Sequence, residues 1–357
     1  MKKVLVVDDS ALMRRVLCDI INGDTRFRVV NIAGNGQEAL NLLTKSQYDA
    51  VVLDVNMPIM NGIELLKELR KKNIKAKIMM ASTDTMEGAQ VTIECLELGA
   101  VDFVHKPNSA MDCRDDEFKN HFLNTLYAVS ESNAAAVSEP VKVREDDTLK
   151  KLADLASKGR SSRGGNKIVA IASSTGGPKA LQSVIPKLPG NLNAPVVMVQ
   201  HMPVGFTASL AERLNSLGEL NVKEAEEGER IKKGWAYISK GGAHMNIVKS
   251  GADYAIHYTD EPNREGVKPC ANYMYESLAN TGFDEICCVV MTGMGADGTE
   301  GIKNLKKSGK NIHVITQSEN TCVVYGMPKA VDNAGLSNQS APLDQLAQEI
   351  ILNVGVS

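Results

Sequence analysis

Residues 3–10 read KVLVVDDS. Val4, Leu5, Val6 and Val7 follow one another without a polar break and then run into two carboxylates, Asp8 and Asp9. A short unbroken apolar run suits a strand covered on both faces, as in a parallel sheet. Such a sheet carries its chemistry at the carboxyl ends of its strands, and Asp8 and Asp9 stand at one of those ends.

Working outward, the same alternation recurs up to residue 127. RVVNIAG, YDAVVLDV, AKIMMAS and DFVHKP read as further strands. SALMRRVLCDII, NGQEALNLLTK, IELLKELRKK, VTIECLELG and EFKNHFLNTLYAV carry apolar residues at helical spacing. Five strand–helix pairs with right-handed crossovers predict a doubly wound α/β domain over 1–127. From 128 to 166 the text turns to Ser, Ala, Gly and charge, which reads as a flexible linker. Within it TLKKLADLASK could form one short helix. From Lys167 to residue 357 alternation resumes: KIVAIAS, APVVMVQH, EICCVVMTG and NIHVITQ are buried-type strands with helices between or beyond them. WAYISKGGAHMNIVKSGADYAIHYT reads as short strands and turns. The expected fold is therefore α/β twice over, with mainly parallel sheets in both halves.

Composition narrows the function. The 357 residues are 43% hydrophobic and 23% charged, ordinary for a chain that buries a core, and the net charge of −3 gives no bulk attraction to nucleic acid or membrane. No compact helix-turn-helix pattern or basic face points to DNA. The apolar run after Lys2 and Lys3 is too short for a signal core, and no run approaches the roughly 18 residues of a membrane span, so no membrane insertion is expected. Seven scattered cysteines without a CxxC read as free thiols of a reducing cytoplasm.

In the first half, Asp8 and Asp9 close strand one, Asp54 closes strand three, Ser82 follows strand four and Lys106 closes strand five. These ends meet in one crevice. Three carboxylates there repel one another unless a cation joins them, and a hard divalent ion such as Mg²⁺ meets that need. Asp54, between that ion and Lys106, is placed to accept a phosphoryl group, with Ser82 able to hydrogen-bond it. The set VVDDSALMRR, LDVNMP, MMAS and HKP resembles the response-regulator receiver domain, which has a flavodoxin-like (βα)5 fold. That resemblance implies Asp54 as phosphoacceptor and Asp8 and Asp9 as Mg²⁺ ligands, with Asn56 adding a backbone carbonyl. It also implies Ser82, Phe103 and Lys106 as the switch residues, and a histidine kinase as phosphodonor.

In the second half, IVAIA ends at Ser173-Ser174-Thr175, PVVMVQ ends at His201, and CCVVMTGMGADG carries Asp297. A hydroxyl, an imidazole and a carboxylate at three strand ends can converge as a nucleophile, its base and the group that orients the base. Strand position alone does not separate Ser173 from Ser174. The glycines of TGG and GMGADG keep a phosphate or nucleotide binder as an alternative, although GxGxxG spacing and a Walker lysine are missing. The histidines are too dispersed for a catalytic metal, so hydrolysis is expected to need no cofactor.

ASSTGGP, VQHMPVGFTASLAERL, GGAHM, VMTGMGADGTEGI and TCVVYGMPKAV resemble the successive signatures of the chemotaxis protein-glutamate methylesterases, the CheB family. The resemblance implies Ser174 as nucleophile, His201 as base and acid, Asp297 as orienting carboxylate, and the Thr175 backbone with Met294 near the oxyanion. It implies glutamate methyl esters of methyl-accepting chemoreceptors as substrates, with glutamine deamidation as a companion activity. It further implies cytoplasmic localisation with recruitment to membrane receptor arrays. Because such a linker keeps the two domains at high effective concentration, the unphosphorylated receiver is expected to cover the Ser174 face. A receiver-controlled binding module without catalysis remains the other rival. The chain departs from the family pattern at Ala172-Ser173, where Gly-Ala is usual, at Lys240, where proline is common, and at Cys270-Ala271-Asn272, where Ser-Val-Asp is frequent. The last change is expected to remove a carboxylate from the substrate face.

Overall fold

The computed structural model describes residues 1–82, 86–107, 112–133 and 165–356. The chain divides into two compact units, one within residues 1–140 and one within 141–357.

The first unit runs β1 (Lys2–Val7), α1 (Ala11–Asn22), β2 (Phe27–Ala33), α2 (Gly36–Leu43), β3 (Ala50–Asp54), α3 (Gly62–Lys71), β4 (Ile78–Ser82), α4 (Met86–Leu98), β5 (Asp102–His105) and α5 (Asp116–Glu131). Its five strands are parallel in the order β2-β1-β3-β4-β5, the flavodoxin-like arrangement. Every residue of β3 and β4 is buried, as the unbroken apolar runs predict. Helix starts follow their caps. Asn61 accepts from the Glu64 N–H while Glu64 reaches back to Asn61, a reciprocal capping box that opens α3.

α5 passes residue 127, the boundary expected from composition, and continues to Glu131. Its last serines look solvated in sequence, but Ser130 and Ser132 are buried, and Lys77 Nζ donates to the Ser130 carbonyl at 2.6 Å. The short helix expected in TLKKLADLASK lies outside the described residues.

The second unit runs β6 (Lys167–Ser173), α6 (Gly177–Val184), β7 (Val196–Gln200), α7 (Phe206–Asn215), β8 (Asn221–Glu224), β9 (Trp235–Ile238), β10 (His244–Ser250), β11 (Asp253–Thr259), α8 (Ala271–Ser277), β12 (Glu285–Val290), α9 (Thr299–Lys307), β13 (Ile312–Gln317), α10 (Met327–Asn333), β14 (Gln339–Ala341) and α11 (Leu346–Val354). Seven strands form a parallel sheet in the order β14-β13-β12-β6-β7-β9-β8, and β10 pairs with β11 as an antiparallel hairpin. The chain builds outward from β6 through β7 on one side and from β12 on the other. The carboxyl end of β6 is thus a point where strand order reverses, the place where such sheets form a crevice.

All seven cysteines are free. Among the described residues no helix is long and apolar enough to cross a membrane.

Candidate active site

Three neighbouring strands bring the second-unit candidates together. Ser173 pairs with Gln200 across β6 and β7, and Ala172 pairs with Val290 across β6 and β12. Ser174, His201 and the loop after β12 therefore leave the sheet side by side. The ladder extends one step further: the His201 N–H donates to the Ser173 carbonyl at 3.1 Å, and the Ser174 N–H donates to the Thr292 carbonyl at 3.0 Å.

The turn after β6 is tight. Gly177 N–H donates back to the Ser174 carbonyl at 2.7 Å, and Gly176 at the third position has φ +74°. A turn of this kind needs a residue tolerant of positive φ there, which is why glycine follows Thr175. The structure also separates the two serines. Ser173 is 1% exposed and its hydroxyl donates to Gln200 Oε1 at 2.7 Å. Ser174 is only partly buried, at the mouth of the crevice.

His201 is fixed by Asp297. Its Nε2 lies 2.8 Å from Asp297 Oδ2. Asp297 is 2% exposed, and its oxygens also accept from Cys270 Sγ at 3.0 Å and from the backbone N–H groups of Ala271 at 2.6 Å, Asn272 at 2.9 Å and Gly298 at 2.8 Å. Burial alone would raise its pKa, but the bonds from His201, Cys270 and Ala271 outweigh that and hold the carboxyl below its usual range. Burial, with Asp297 alongside, pushes the Cys270 thiol up to about 12, so it stays protonated and donates.

This geometry corrects one expectation. Cys270, Ala271 and Asn272 are fully buried and belong to the support of Asp297, not to a substrate face. Asn272 Oδ1 accepts from Gly298 N–H at 3.1 Å and Gly301 N–H at 2.6 Å, at the start of α9. Those glycine N–H groups, which a phosphate would need, are thus spent on the protein's own amide and carboxylate.

Thr175 is buried, while Met294 is 38% exposed beside the turn. Neither the Thr175 nor the Met294 backbone N–H finds an acceptor among the described residues. Thr292 locks their two segments together, its hydroxyl donating to the Thr175 carbonyl at 2.9 Å and accepting from Val324 N–H at 3.0 Å. Thr292 and Gln200 carry no role in the sequence reading, and Cys270 enters it only as a departure from the family pattern, not as a donor to Asp297. The available signal was a polar residue closing each apolar strand, in VVMVQ and CCVVMT.

The first unit gathers its own set. Lys106 Nζ lies 2.8 Å from both Asp8 Oδ2 and Asp54 Oδ1. Asp54 Oδ1 accepts from Val55 N–H at 2.8 Å, and Arg14 Nη1 holds the Asp9 carbonyl at 3.0 Å. Oxygens of Asp8, Asp9 and Asp54 lie within 4.8 Å of one another. Burial raises Asp54 above the usual carboxylate range, and Lys106 does not fully offset burial and the Asp8 charge. A site of clustered carboxylate oxygens, short of positive charge, fits a hard divalent cation. Ser82 and Phe103 are buried on β4 and β5, and Asn56 is exposed in the loop after β3.

Residues 169–350 match the model of the CheB methylesterase family, and residues 4–115 match the response regulator receiver domain. The chain belongs to the CheB methylesterase family. It is 41% identical, over 98% of both chains, to the protein-glutamate methylesterase/protein-glutamine glutaminase of Bacillus licheniformis, and 40% identical, again over 98% of both, to that of Bacillus subtilis. The crystal structure of the CheB methylesterase catalytic domain of Thermotoga maritima shares 41% identity and a TM-score of 0.51, covering 53% of this chain and 99% of that one. The CheB match begins inside β6 and runs through β7 and β12, and so encloses Ser174, His201 and Asp297.

Proposed function

We propose that Ser174, His201 and Asp297 carry the protein-glutamate methylesterase and protein-glutamine glutaminase activity of this chain. The observation that supports the assignment is the 2.8 Å bond between His201 and buried Asp297, formed beside the strand end that presents Ser174. With Nε2 held by Asp297, Nδ1 is the ring nitrogen that serves the serine. Ser174 Oγ attacks the ester carbonyl of a receptor glutamate side chain as Nδ1 takes its proton. The Thr175 and Met294 N–H groups receive the charge that forms on the carbonyl oxygen. The proton then passes to the leaving group, so methanol departs from an ester and ammonia from a glutamine. Water, deprotonated by the same nitrogen, cleaves the acyl-enzyme and releases glutamate. No step requires a metal or organic cofactor.

The receiver, whose last helix ends at Glu131, controls the hydrolase that begins at Lys167. Asp54 accepts a phosphoryl group from a chemotaxis histidine kinase, and Lys106 offsets part of the charge on Asp54 and Asp8. Asp8, Asp9, Asp54 and the Asn56 carbonyl would hold Mg²⁺, which when bound would neutralise charge on the transferring group. Ser82 and Phe103 respond to the phosphate, and phosphorylation of the receiver raises the rate of the hydrolase. The protein works in the cytoplasm at membrane arrays of methyl-accepting chemoreceptors.

Methanol release from methylated receptor membranes tests the assignment. Ser174→Ala is expected to lose more than about 10⁴-fold in rate. Parental release by that variant would refute it.

A further inference from the structure

Gln200 closes β7 and is 1% exposed, an unusual end for the run VVMVQ. A buried amide must find partners for two donors and an acceptor. All three are found inside the crevice. Oε1 accepts from the Ser173 hydroxyl at 2.7 Å, and Nε2 donates to the carbonyls of Ser174 at 3.0 Å and His201 at 3.1 Å. One side chain therefore grips the residue before the nucleophile, the nucleophile itself and the base. Gly177 makes room for it, since a Cβ there would stand 2.0 Å from Gln200 Oε1. The two carbonyls, which can only accept, set which way the amide faces, and the Ser173 hydroxyl donates to the oxygen this leaves. Turned over, its NH₂ would face away from both carbonyls.

We propose that Ser173 and Gln200 form a positioning clamp that sets the separation of Ser174 from His201, and that the pair acts as one unit. The inference rests on Ser174 being the nucleophile. The clamp touches no substrate; it acts through the backbone of the two residues that do. A displacement of about 1 Å between nucleophile and base lowers a rate about 100-fold without weakening ground-state binding.

The test uses the full chain and a fluorophosphonate, which reads serine nucleophilicity without receptor docking, together with kcat and KM for methylated receptor. Gln200→Met keeps the side chain's bulk and removes every bond; phosphonylation and kcat are expected to fall about 100-fold with KM unchanged. Ser173→Ala is the milder variant, expected to fold normally and slow about fivefold, the worth of one neutral hydrogen bond. The double variant is expected to match Gln200→Met alone, because the two residues share one network. A purely structural role would lower the melting temperature and leave the rate per folded molecule unchanged. Parental rates for folded Gln200→Met and Ser173→Ala would overturn the clamp while an inert Ser174→Ala leaves the nucleophile assignment standing. Additive effects in the double variant would overturn the pair. Parental labelling of Ser174→Ala would overturn the nucleophile assignment and the clamp with it.

Discussion

Asp54 and Asp297 are both buried carboxylates at the carboxyl end of a parallel sheet, 7% and 2% exposed. Their proton affinities nevertheless move in opposite directions, Asp54 up and Asp297 down. Depth does not explain the difference, because burial raises both. Donors explain it. Asp297 accepts from His201, from a thiol and from three backbone N–H groups. Asp54 has Val55 N–H and a lysine that it shares with Asp8, itself a buried acid. On the roles proposed above, the carboxylate that orients a base is saturated with donors. The one that would receive a phosphoryl group is left short of positive charge, so a cation and a phosphodonor have something to satisfy.

The comparison can be broken most sharply at Asp297. Asp297→Asn keeps the shape but presents an NH₂ to groups that are themselves donors and frees the imidazole to adopt the wrong tautomer. Turnover is expected to fall about 10³- to 10⁴-fold, as measured by methanol release. The same variant should lose about 3 kcal/mol of stability at neutral pH, read by chemical denaturation of the second unit's transition. The sign with pH follows from the lowered folded value. Asp297's contribution is whole above the ordinary carboxylate range and drains away as pH falls through the folded value. The parent should therefore weaken in acid more steeply than Asp297→Asn, and parallel acid limbs would contradict the donor argument.

Asp54→Asn sharpens the other side. It leaves Lys106 with Asp8 alone and removes a buried negative charge. In metal-free buffer its melting temperature should rise, opposite to Asp297→Asn. The variant should also lose the stimulation of methanol release by a phosphodonor. A fall in melting temperature would mean that Asp54 is as well satisfied as Asp297.

Much of this was legible in the order of residues. Unbroken apolar runs located both parallel sheets, and the polar residues that end them, Asp8, Asp54, Lys106, His201 and the Ser173-Ser174 pair, marked both crevices. The supports of the site were not legible, because they are long-range. Cys270 to Asn272 meet Asp297 from 25 to 27 positions away, through backbone N–H groups that carry no mark in a sequence. The choice between Ser173 and Ser174 depends on which hydroxyl is turned inward to Gln200, and two adjacent serines, one closing β6 and one opening the turn, carry no mark of it in the sequence. The end of the first unit was hidden because Ser130 and Ser132 are buried, where composition alone suggests solvent.

The central claim is that Ser174, the outward-facing member of the pair, is the nucleophile. Peptide mapping by mass spectrometry after fluorophosphonate treatment of the full chain tests it directly. The account predicts one adduct in the segment 167–187, on Ser174, with Ser173 and Thr175 unmodified. An adduct on Ser173, or an unmodified segment in protein that still releases methanol, would contradict it.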